Sequence, residues 1–307
     1  MERLESTVGD ASDGERLDLF LVSARPGVSR STIQREIREG RVLVSGSIIR
    51  RTAHRLRAGE AVVWSVSDLP ILSPKPIPLE ILFEDDVLVA VNKSPGLVVH
   101  PGAGTRETTL VEGLLATREL PPSDDPVRPG IVHRLDKGTS GVIVVAKTAS
   151  ALESLKAQFA ERILAKSYLA VVEGTIDENE GTIDAPVGRD PARPSRMSVQ
   201  SRGRPAQTEF QVLDRSDDRT LLWVRPRTGR THQIRAHFRY IGHCVLGDEV
   251  YGGRIPADRM LLHAWRLVLR HPETCEELRL EAPPPSAFPA YHYEELPWQR
   301  IPQPTAE

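Results

Sequence analysis

The chain has 307 residues, enough for two domains or for one large domain with an appendage. Its 39% hydrophobic and 27% charged residues are typical of a globular protein, and no apolar run is long enough to cross a membrane. The polar, acidic start, MERLESTVGDASDGER, lacks the basic and apolar regions of a signal peptide, so we expect a cytoplasmic protein. The two cysteines, Cys244 and Cys275, form no CxxC pair, which argues against a disulfide framework or a cysteine zinc site.

Arginine is unevenly distributed. The net charge of −2 argues weakly against a nucleic-acid binder. Residues 25–57, however, contain nine arginines against Glu36 and Glu39, and residues 189–239 contain twelve arginines against five acids. Because guanidinium groups bind phosphates bidentately and stack on bases, this pattern predicts two basic faces on a nearly neutral protein.

Residues 14–68 are predicted to form a small module, preceded by a flexible tail over residues 1–13. ERLDLFLVSAR has apolar residues at helical spacing, and SRSTIQREIREG predicts a second helix that ends at Gly40. RVLVSG and GEAVVW are typical of short strands. The four prolines of LPILSPKPIP exclude a helix or a central strand, so residues 69–78 are the predicted linker.

Strands and helices alternate over residues 79–292, which predicts a second domain of the α+β or α/β class, with residues 293–307 as a C-terminal tail. LEILFEDDVLVAVNK predicts two strands joined by an Asp-Asp turn, and TTLVEGLLATREL predicts a helix. SALESLKAQFAER predicts another helix, with Ser150 and Glu153 at its start. KSYLAVVEG and RTLLWVRPRTG are typical of strands.

The stretch HRLDKGTSGVIVVAK crowds charges against an apolar run that fits a strand buried on both faces. Asp136 precedes this strand in a loop where Gly138 and Gly141 allow a close backbone approach and would make room for a nucleotide. A carboxylate at the mouth of a buried strand is costly unless it is paired, so Asp136 is a candidate catalytic residue. From these residues alone, an aspartate that caps a turn is an equally good interpretation.

RTHQIRAHFRYIG predicts an amphipathic helix with Ile234, Phe238 and Ile241 on one face. Arg235 lies beside that face and could turn inward to pair with a buried carboxylate, which would keep the carboxylate ionised. The alternative is a helix that faces phosphates and contributes no catalytic residue.

Three further patterns are less specific. Tyr168 lies beside Lys166 on a predicted strand; such a tyrosine is usually part of a core, although aromatic residues in basic clefts stack on bases. His232 and His237 are five residues apart with no acid between them, so a metal site is the weaker hypothesis. NKSPGLVVHPG, with two tight-turn signals, is interpreted as architecture.

Five motifs together resemble the RluA-type pseudouridine synthases: GIVHRLDKGTSGVIVVAKT, KSYLAVVEG, GRPAQTEFQVL, RTGRTHQIRAHFRYIGHCVLGDEVYGG and LLHAWRL. They occur in the family's order and cover most of residues 79–285. The N-terminal module resembles the alpha-L RNA-binding domain found ahead of many large-subunit ribosomal RNA pseudouridine synthases. Two departures, Ser94 where proline is usual and Ser45 where asparagine is usual, concern local turn geometry only.

The resemblance implies an α+β pseudouridine synthase fold, with a mixed, mostly antiparallel central sheet and flanking helices, plus a small N-terminal α/β RNA-binding domain. It implies an isomerase that converts specific uridines in RNA to pseudouridine through a catalytic aspartate and a flipped-out base, with no cofactor and no metal. The expected partner is ribosomal RNA of the large subunit, within an assembling subunit or free, and the protein is expected to be a monomer.

By the same resemblance, Asp136 is the catalytic carboxylate, which attacks the sugar or the base or removes a sugar proton. Arg235 pairs with it, while Tyr168 stacks against the target base and assists proton removal at C5. Arg134 fills the space of the flipped base or holds its phosphate. The other expected substrate contacts are Arg230, His232 and Leu262, and the expected RNA contacts of the N-terminal module are Arg30, Arg35, Arg38 and Arg41.

Two other functions compete with this interpretation. A non-catalytic RNA-binding protein would use the same basic faces, but it would not need Asp136, Tyr168 and Arg235 together. A glycosidase that releases bases from nucleic acid would need a second carboxylate to activate water. No such residue can be assigned from the motifs, because the acidic run Glu84, Asp85 and Asp86 is distant in sequence.

Overall fold

The computed structural model describes residues 2–25, 28, 30–66, 72–102, 105, 107–193, 195–253 and 255–302. The chain divides into two units. The N-terminal unit contains Met1–Ser73 together with His100–Arg106 and Pro122–Pro129, and the second unit contains Pro74–Val99, Glu107–Pro121 and Gly130–Glu307. Across the described ranges, no helix is both long enough and apolar enough to span a membrane.

The N-terminal unit combines two helices with a four-stranded sheet. Its elements are, in chain order, β1 (Glu2–Thr7), a 3-10 turn (Asp10–Ser12), α1 (Leu17–Ala24), α2 (Arg30–Arg38), β2 (Val42–Val44), β3 (Ser47–Ile48) and β4 (Ala61–Val66). The strand order is β1-β4-β2-β3, and each described pair is antiparallel, so α+β describes this unit better than α/β. Apolar residues of both helices and the sheet share one core around Trp64.

The expected flexible tail over residues 1–13 is wrong for most of its length. β1 pairs with β4 along its whole length. Leu4 packs against the core, and Val8 is buried within it. The polar sequence ERLEST suggests a tail. However, the hydrogen bonds that join strands are made by the main chain and do not require apolar side chains. An edge strand with one buried side chain therefore fits the same polar sequence.

The predicted linker over residues 69–78 is described only in part, because residues 67–71, including the predicted module boundary at 68, lie outside the described residues. Residues 72–79 have no regular secondary structure, as the prolines predict. The amide of Lys75 donates a hydrogen bond to the carbonyl of Glu112 (3.2 Å). The end of the linker is therefore attached to the second unit.

The second unit is built on a mixed sheet. Its elements are, in chain order, β5 (Glu80–Glu84), β6 (Leu88–Lys93), α3 (Leu110–Leu115), β7 (Ser140–Ala146), α4 (Ala149–Glu161), β8 (Ala165–Glu173), β9 (Glu180–Asp184), β10 (Val187–Arg189), β11 (Met197–Val199), β12 (Gln207–Ser216), β13 (Arg219–Pro226), α5 (Gln233–Tyr240), β14 (Leu262–Arg270) and β15 (Glu277–Glu281). The main sheet has the order β5-β6-β7-β14-β8-β13-β12-β9, with β15 on β14. Among the described pairs only β7 with β14 is parallel, which confirms the mixed, mostly antiparallel sheet.

The central strands are buried on both faces, and this explains their continuous apolar sequence. All seven residues of β7 are buried. Leu152 and Leu155 of α4 pack into one core cluster with β7, and Ile234 and Phe238 of α5 pack into another with β8 and β13. Ile241, predicted on the same helix face, is 37% exposed because α5 ends at Tyr240.

Two predicted ends in this unit need correction. The N-cap of α4 is Thr148, whose hydroxyl accepts a hydrogen bond from the amide of Ala151 (3.2 Å), so the predicted cap at Ser150 is two residues too late. The predicted C-terminal tail from residue 293 is held on the domain as far as it is described, to residue 302. The guanidinium of Arg266 lies against the ring of Trp298 (4.4 Å), because the aromatic face attracts a cation.

Candidate active site

Asp136 lies in a tight turn directly before the buried strand β7. Its carbonyl accepts a hydrogen bond from the amide of Thr139 (3.1 Å), which closes the turn. On the other side, His133 Nε2 accepts a hydrogen bond from the amide of Val144 (3.0 Å) in β7, and its ring stacks on Phe159 at 4.4 Å. Burial, helped by the charge of Lys166, lowers the pKa of His133 to about 3, so the ring stays neutral and can accept this bond. Asp136 is thus held on one side by the turn and on the other by the bond between His133 and β7.

Helix α5 brings Arg235 to this carboxylate. Arg235 Nη1 donates a hydrogen bond to Asp136 Oδ2 at 2.8 Å. The side chain of Arg235 is 7% exposed and that of Asp136 is 16% exposed, so the ion pair is largely protected from water. The carboxylate nevertheless lines an open cleft. The inward orientation of Arg235 was one of the two alternatives left open by the sequence.

Asp248 is a second carboxylate on Arg235 and was not predicted. Arg235 Nε and Nη2 donate to the two oxygens of Asp248 at 2.6 and 2.9 Å. Asp248 Oδ1 also accepts from the amides of Val250 and Tyr251, both at 3.1 Å. Burial alone would lower the pKa of Arg235, but these bonds and the charge of Asp136 raise it well above its ordinary value. Asp248 therefore orients the guanidinium that reaches Asp136.

His232 is the N-cap of α5 and adopts the left-handed conformation, with φ of +51°. Its Nε2 lies 3.9 Å from Asp136 Oδ1, and its Nδ1 lies 3.2 Å from the hydroxyl of Tyr251. Burial lowers the pKa of His232, although the charge of Asp136 opposes this, so the ring is neutral at neutral pH. A non-glycine residue held in this backbone region is uncommon and is often found at functional sites.

His237 does not share a site with His232. Its two ring nitrogens lie 2.9 Å from the hydroxyl of Thr208 and 2.9 Å from the carbonyl of Ala185, inside the core. Within the described part of the chain, no group of three or more His, Cys, Asp or Glu residues is arranged to hold a metal ion. His237 is a hydrogen-bonded core residue.

Tyr168 on β8 lines the same cleft as Asp136. Its side chain is half-buried and packs at the edge of the core beneath α5. Burial, together with the charge of Asp136, raises the pKa of Tyr168 well above its ordinary value, so the hydroxyl keeps its proton at neutral pH. The ring is therefore suited to packing against a base, and the hydroxyl to donating a hydrogen bond.

The cleft has a volume of about 1110 Å³ and its lining is strongly basic. This volume is slightly larger than that of most small-molecule pockets. All four predicted substrate contacts, Arg134, Arg230, His232 and Leu262, line it. Arg230 Nε donates to the carbonyl of Pro205 at 3.1 Å. The cations that line it are Arg134, Arg162, Lys166, Arg204, Arg225, Arg227, Arg230 and Arg235.

Most of these cations lack an acidic partner. Arg227 and Arg225 share Glu209, at 2.7 and 3.9 Å. Across the described residues, no carboxylate lies within ion-pair distance of the side chains of Arg134, Arg162, Lys166, Arg204 and Arg230. Burial and repulsion from Arg162 lower the pKa of Lys166 to about 8. A cleft with this much uncompensated positive charge attracts a polyanion.

The glycines near Asp136 lie close to neighbouring protein atoms. A Cβ at Gly141 would collide with the carbonyl oxygen of Ala264 in β14, and its φ of +111° favours glycine. A Cβ at Gly138 would lie 3.2 Å from the Met260 side chain. Close packing next to β14 therefore accounts for both glycines, and the expectation that they also make room for a nucleotide stays a prediction.

The four predicted RNA contacts of the N-terminal unit differ in their surroundings. Arg30 donates to Asp18 at 2.9 Å, and Arg41 lies 3.1 Å from Glu36; both carboxylates are completely buried. Arg35 lies 3.5 Å from Glu36. Among the described ion pairs none involves Arg38, whose side chain is exposed. Arg38 is thus the one of the four without an ion pair among the described residues.

Sequence comparisons extend over both units. The sequence profile of a family described as RNA pseudouridylate synthase matches residues 87–240, and the profile of the S4 domain matches residues 15–62. "Uncharacterized RNA pseudouridine synthase YlyB" of Bacillus subtilis is 41% identical, over 93% of this chain and 95% of its own length. "Ribosomal large subunit pseudouridine synthase D" of Nitrosomonas europaea is also 41% identical, over 94% of this chain and 86% of its own. The protein of the same name from Escherichia coli K12 is 38% identical, over 92% of this chain and 91% of its own.

Solved structures agree with these sequence matches. The structure of human RNA Pseudouridylate Synthase Domain Containing 1 superimposes with a TM-score of 0.56 and is 29% identical. The match covers 67% of this chain and 83% of the human chain. Fold and sequence therefore point to one family.

Proposed function

The chain belongs to the RNA pseudouridylate synthase family, and we propose that it isomerises specific uridines of large-subunit ribosomal RNA with Asp136 as the catalytic carboxylate. Membership makes the protein an isomerase with an RNA substrate, and the S4 domain is a second RNA-binding element. The observation that carries the proposal for Asp136 is its carboxylate, which lines a basic cleft and is held by Arg235 at 2.8 Å. The relatives named for the ribosomal large subunit support the choice of RNA.

The isomerisation breaks the bond between C1′ and N1 of uridine and forms a bond between C1′ and C5. C5 loses a proton and N1 gains one, with no net oxidation or hydrolysis. Asp136 either bonds to the sugar or the base or removes a sugar proton, and each route requires its ionised form. Arg235 supports this because a guanidinium at hydrogen-bonding distance stabilises a carboxylate anion.

We assign binding of the target base to Tyr168 and Leu262, which both line the cleft. The raised pKa of Tyr168 favours stacking over proton removal, because the phenolate is scarce at neutral pH. Arg134, exposed beside Asp136 in the chain, is available to occupy the place of the flipped base or to bind its phosphate. His232 would contact the substrate next to Asp136 as a neutral ring.

Extruding a base from a stack costs a few kcal/mol, which contacts to the phosphate backbone must offset. The unpaired cations of the cleft, such as Arg162 and Arg204, are suited to this role, because charge that is not neutralised within the protein remains available for phosphates. In the N-terminal unit, the proposal assigns phosphate contacts first to Arg38. A ribosomal RNA substrate also supports the expected cytoplasmic location. The expectation that the protein is a monomer can be tested separately by sedimentation.

Hydrolytic release of the base is the second candidate, and the geometry disfavours it. A glycosidase needs another carboxylate to activate water. Asp248 is the nearest candidate along the ion-pair network, but both its oxygens accept hydrogen bonds from Arg235, and its side chain is 1% exposed. Two other carboxylates line the cleft. Glu209 is engaged by Arg227, and Glu161 is exposed at the end of α4, with no described contact to Asp136.

The test is a pseudouridine map of cellular RNA from cells that lack the gene, complemented by the wild-type protein, by Asp136→Asn or by the control Asp177→Asn. Asp177 is an exposed carboxylate away from the cleft. We expect one or a few large-subunit ribosomal positions to lose pseudouridine and to regain it with the wild type and the control only. Loss confined to transfer RNA would contradict the ribosomal substrate, and full rescue by Asp136→Asn would contradict the catalytic assignment.

A further inference from the structure

We propose that residues 297–302 form one wall of the cleft and contact the bound RNA, with Arg300 as the residue that binds a phosphate. The inference rests on the proposed binding of RNA in this cleft. The observation that carries it is the position of Pro302, which lines the same cleft as Asp136. Pro302 follows β15 in the chain, so a segment outside the sheet and its helices reaches the active site.

The segment that leads to Pro302 needs attachment to the domain. Residues 283–302 have no regular secondary structure apart from a 3-10 turn at Tyr293–Glu295. Such a segment frays unless contacts tie it down. Arg266, a buried residue of β14, provides the first attachment, because its Nη1 donates a hydrogen bond to the carbonyl of Leu296 at 2.7 Å. The main chain is therefore held directly before the proposed wall.

Trp298 provides the second attachment. The guanidinium carbon of Arg266 lies 4.4 Å from the centre of the Trp298 ring and 3.7 Å from the centre of the Trp265 ring. The face of an indole ring attracts a cation. Arg266 Nε also donates to Glu281 Oε2 at 2.7 Å, which orients the guanidinium. We call the contacts of Arg266 with Leu296 and Trp298 the Arg266 clamp.

The Arg266 clamp determines where the rest of the segment lies. Pro302 is four residues beyond Trp298, and an extended chain spans at most about 3.6 Å per residue, or about 14 Å in this case. Arg300 is only two residues beyond Trp298. The clamp therefore sets which part of the surface these residues cover, and for Pro302 that part is the cleft.

The charge of the proposed wall suits RNA. Arg300 is exposed, and among the described residues no ion pair involves it. The acidic residues Glu294 and Glu295 come before the clamp, and residues 297–302 contain no acid. Positive charge that is not neutralised within the protein is available for phosphates. The wall thus extends the basic lining of the cleft towards the nucleotides that flank the flipped base.

The segment borders the active site without closing it. The side chain of Asp136 remains 16% exposed. Of the segment as far as it is described, Pro302 is the residue that lines the cleft. A segment that blocked the cleft would cover the carboxylate. The arrangement therefore fits a wall that contacts RNA and not an inhibitory plug.

The first experiment tests the contact by photocrosslinking. A benzophenone is attached to the thiol at residue 302 in the double variant Cys275→Ser, Pro302→Cys and, as the control, to the exposed Cys275 of the wild type, which does not line the cleft. The other cysteine, Cys244, is buried. Both proteins are irradiated with total RNA from cells that lack the gene. We expect a clearly higher yield of crosslinked RNA from residue 302, and equal yields from the two positions would overturn the proposal.

The second experiment releases the segment from the clamp. Trp298→Ala should weaken binding of a large-subunit ribosomal RNA transcript about ten-fold, because a loosened segment must be ordered again when RNA binds. The control Tyr291→Ala removes a ring that comes before the clamp, and it should leave the affinity unchanged. Unchanged affinity in Trp298→Ala would contradict the proposal, and tighter binding would contradict it by showing that the segment excludes RNA.

The third experiment tests the phosphate contact of Arg300. Arg300→Gln should reduce the slope of log affinity against log salt by about 1, because one phosphate contact is lost. The control Arg219→Gln changes an exposed arginine that is paired with Asp218 and does not line the cleft, and it should leave the slope unchanged. A wild-type slope in Arg300→Gln would remove Arg300 from the RNA interface and contradict the proposal.

These experiments separate the inference from the proposed function, because they measure RNA contact and not isomerisation. If Asp136→Asn retains isomerisation, the catalytic assignment fails, while the crosslink still decides whether the segment meets RNA. If the protein modifies uridines but residue 302 does not crosslink above the control, only the wall fails. If Trp298→Ala does not fold, the crosslink and Arg300→Gln still decide, because both keep the Arg266 clamp.

Discussion

The N-terminal unit and the cleft of the second unit use arginine in different ways. In the N-terminal unit, Arg16 and Arg30 converge on the buried carboxylate of Asp18. In the cleft of the second unit, Arg162 and Arg204 have no carboxylate within ion-pair distance among the described residues. Counting arginines against acids along the sequence finds an excess of arginine in both places. Only the positions of the acids in the structure distinguish arginines that pair within the protein from arginines that can bind phosphates.

This difference has a physical basis. A carboxylate buried in a small core is costly unless cations satisfy it, so the arginines around Asp18 stabilise the fold. Phosphate binding gains free energy from releasing counterions, and it needs positive charge that the protein has not already neutralised. Arg235 combines both arrangements, because it lies in the cleft region and yet bridges two carboxylates.

The largest expected effect is at Arg235, where the two arrangements meet. Arg235→Lys should lower the single-turnover rate constant by about 1,000-fold, since a single ammonium cannot reproduce the planar bridge between Asp136 and Asp248. Single-turnover rates measure this, with Arg270→Lys at the exposed end of β14 as the control. A rate within ten-fold of the wild type would show that charge alone, without the fork geometry, is sufficient.

The next largest effect concerns the buried carboxylate of the N-terminal unit. Asp18→Ala should lower the free energy of unfolding of this unit by about 3 kcal/mol, because it removes the shared partner of Arg16, Arg30 and Gln34. Hydrogen exchange of the β4 amides measures it. Glu5→Ala, which removes an exposed partner of Arg3, should cost less than about 0.5 kcal/mol. If both substitutions lowered the free energy of unfolding equally, the proposed difference between buried and exposed ion pairs would be wrong.

The same carboxylate predicts how the stability of this unit depends on pH. Burial alone would raise the pKa of Asp18, but hydrogen bonds from Arg16, Gln34 and Arg30 outweigh burial and hold it well below its ordinary value of 3.8. A lowered pKa in the folded state stabilises the fold above the unfolded-state pKa, and this stability is lost as the pH falls below about 4. This loss of stability at acid pH should be absent in Asp18→Ala.

The smallest effect is on RNA affinity. Arg162→Gln should weaken RNA binding about ten-fold at low salt and reduce the slope of log affinity against log salt by about 1, because one phosphate contact is lost. Arg118→Gln, whose arginine is paired with Glu84, should leave the slope unchanged. The comparison also predicts that Arg30→Gln lowers the free energy of unfolding of the N-terminal unit and leaves the slope of log affinity against log salt nearly unchanged. A loss of slope in Arg30→Gln equal to that in Arg162→Gln would contradict the comparison.

Patterns that depend on burial were predictable from the sequence. The apolar run of β7 predicts a strand buried on both faces, and Ile234 and Phe238 predict the buried face of α5. The edge strand β1 was not predictable, because its polar residues leave only main-chain bonds and Leu4 as evidence.

The candidate site was only partly predictable, for reasons of geometry. Residues alone left Asp136 evenly balanced between a turn cap and an active site, and only the family resemblance paired it with Arg235, 99 positions away. Asp248 was missed although it lies in the quoted motif, because no helical or strand spacing relates it to Arg235.

The measurement that tests the central claim most directly is pseudouridine formation by Asp136→Asn on a large-subunit ribosomal RNA transcript, with RNA affinity measured on the same preparation. Asparagine keeps the shape of the side chain and removes the charge that Arg235 holds. The account predicts no detectable pseudouridine, with a dissociation constant within a few-fold of the wild type. Pseudouridine formed by Asp136→Asn at the wild-type rate would contradict it.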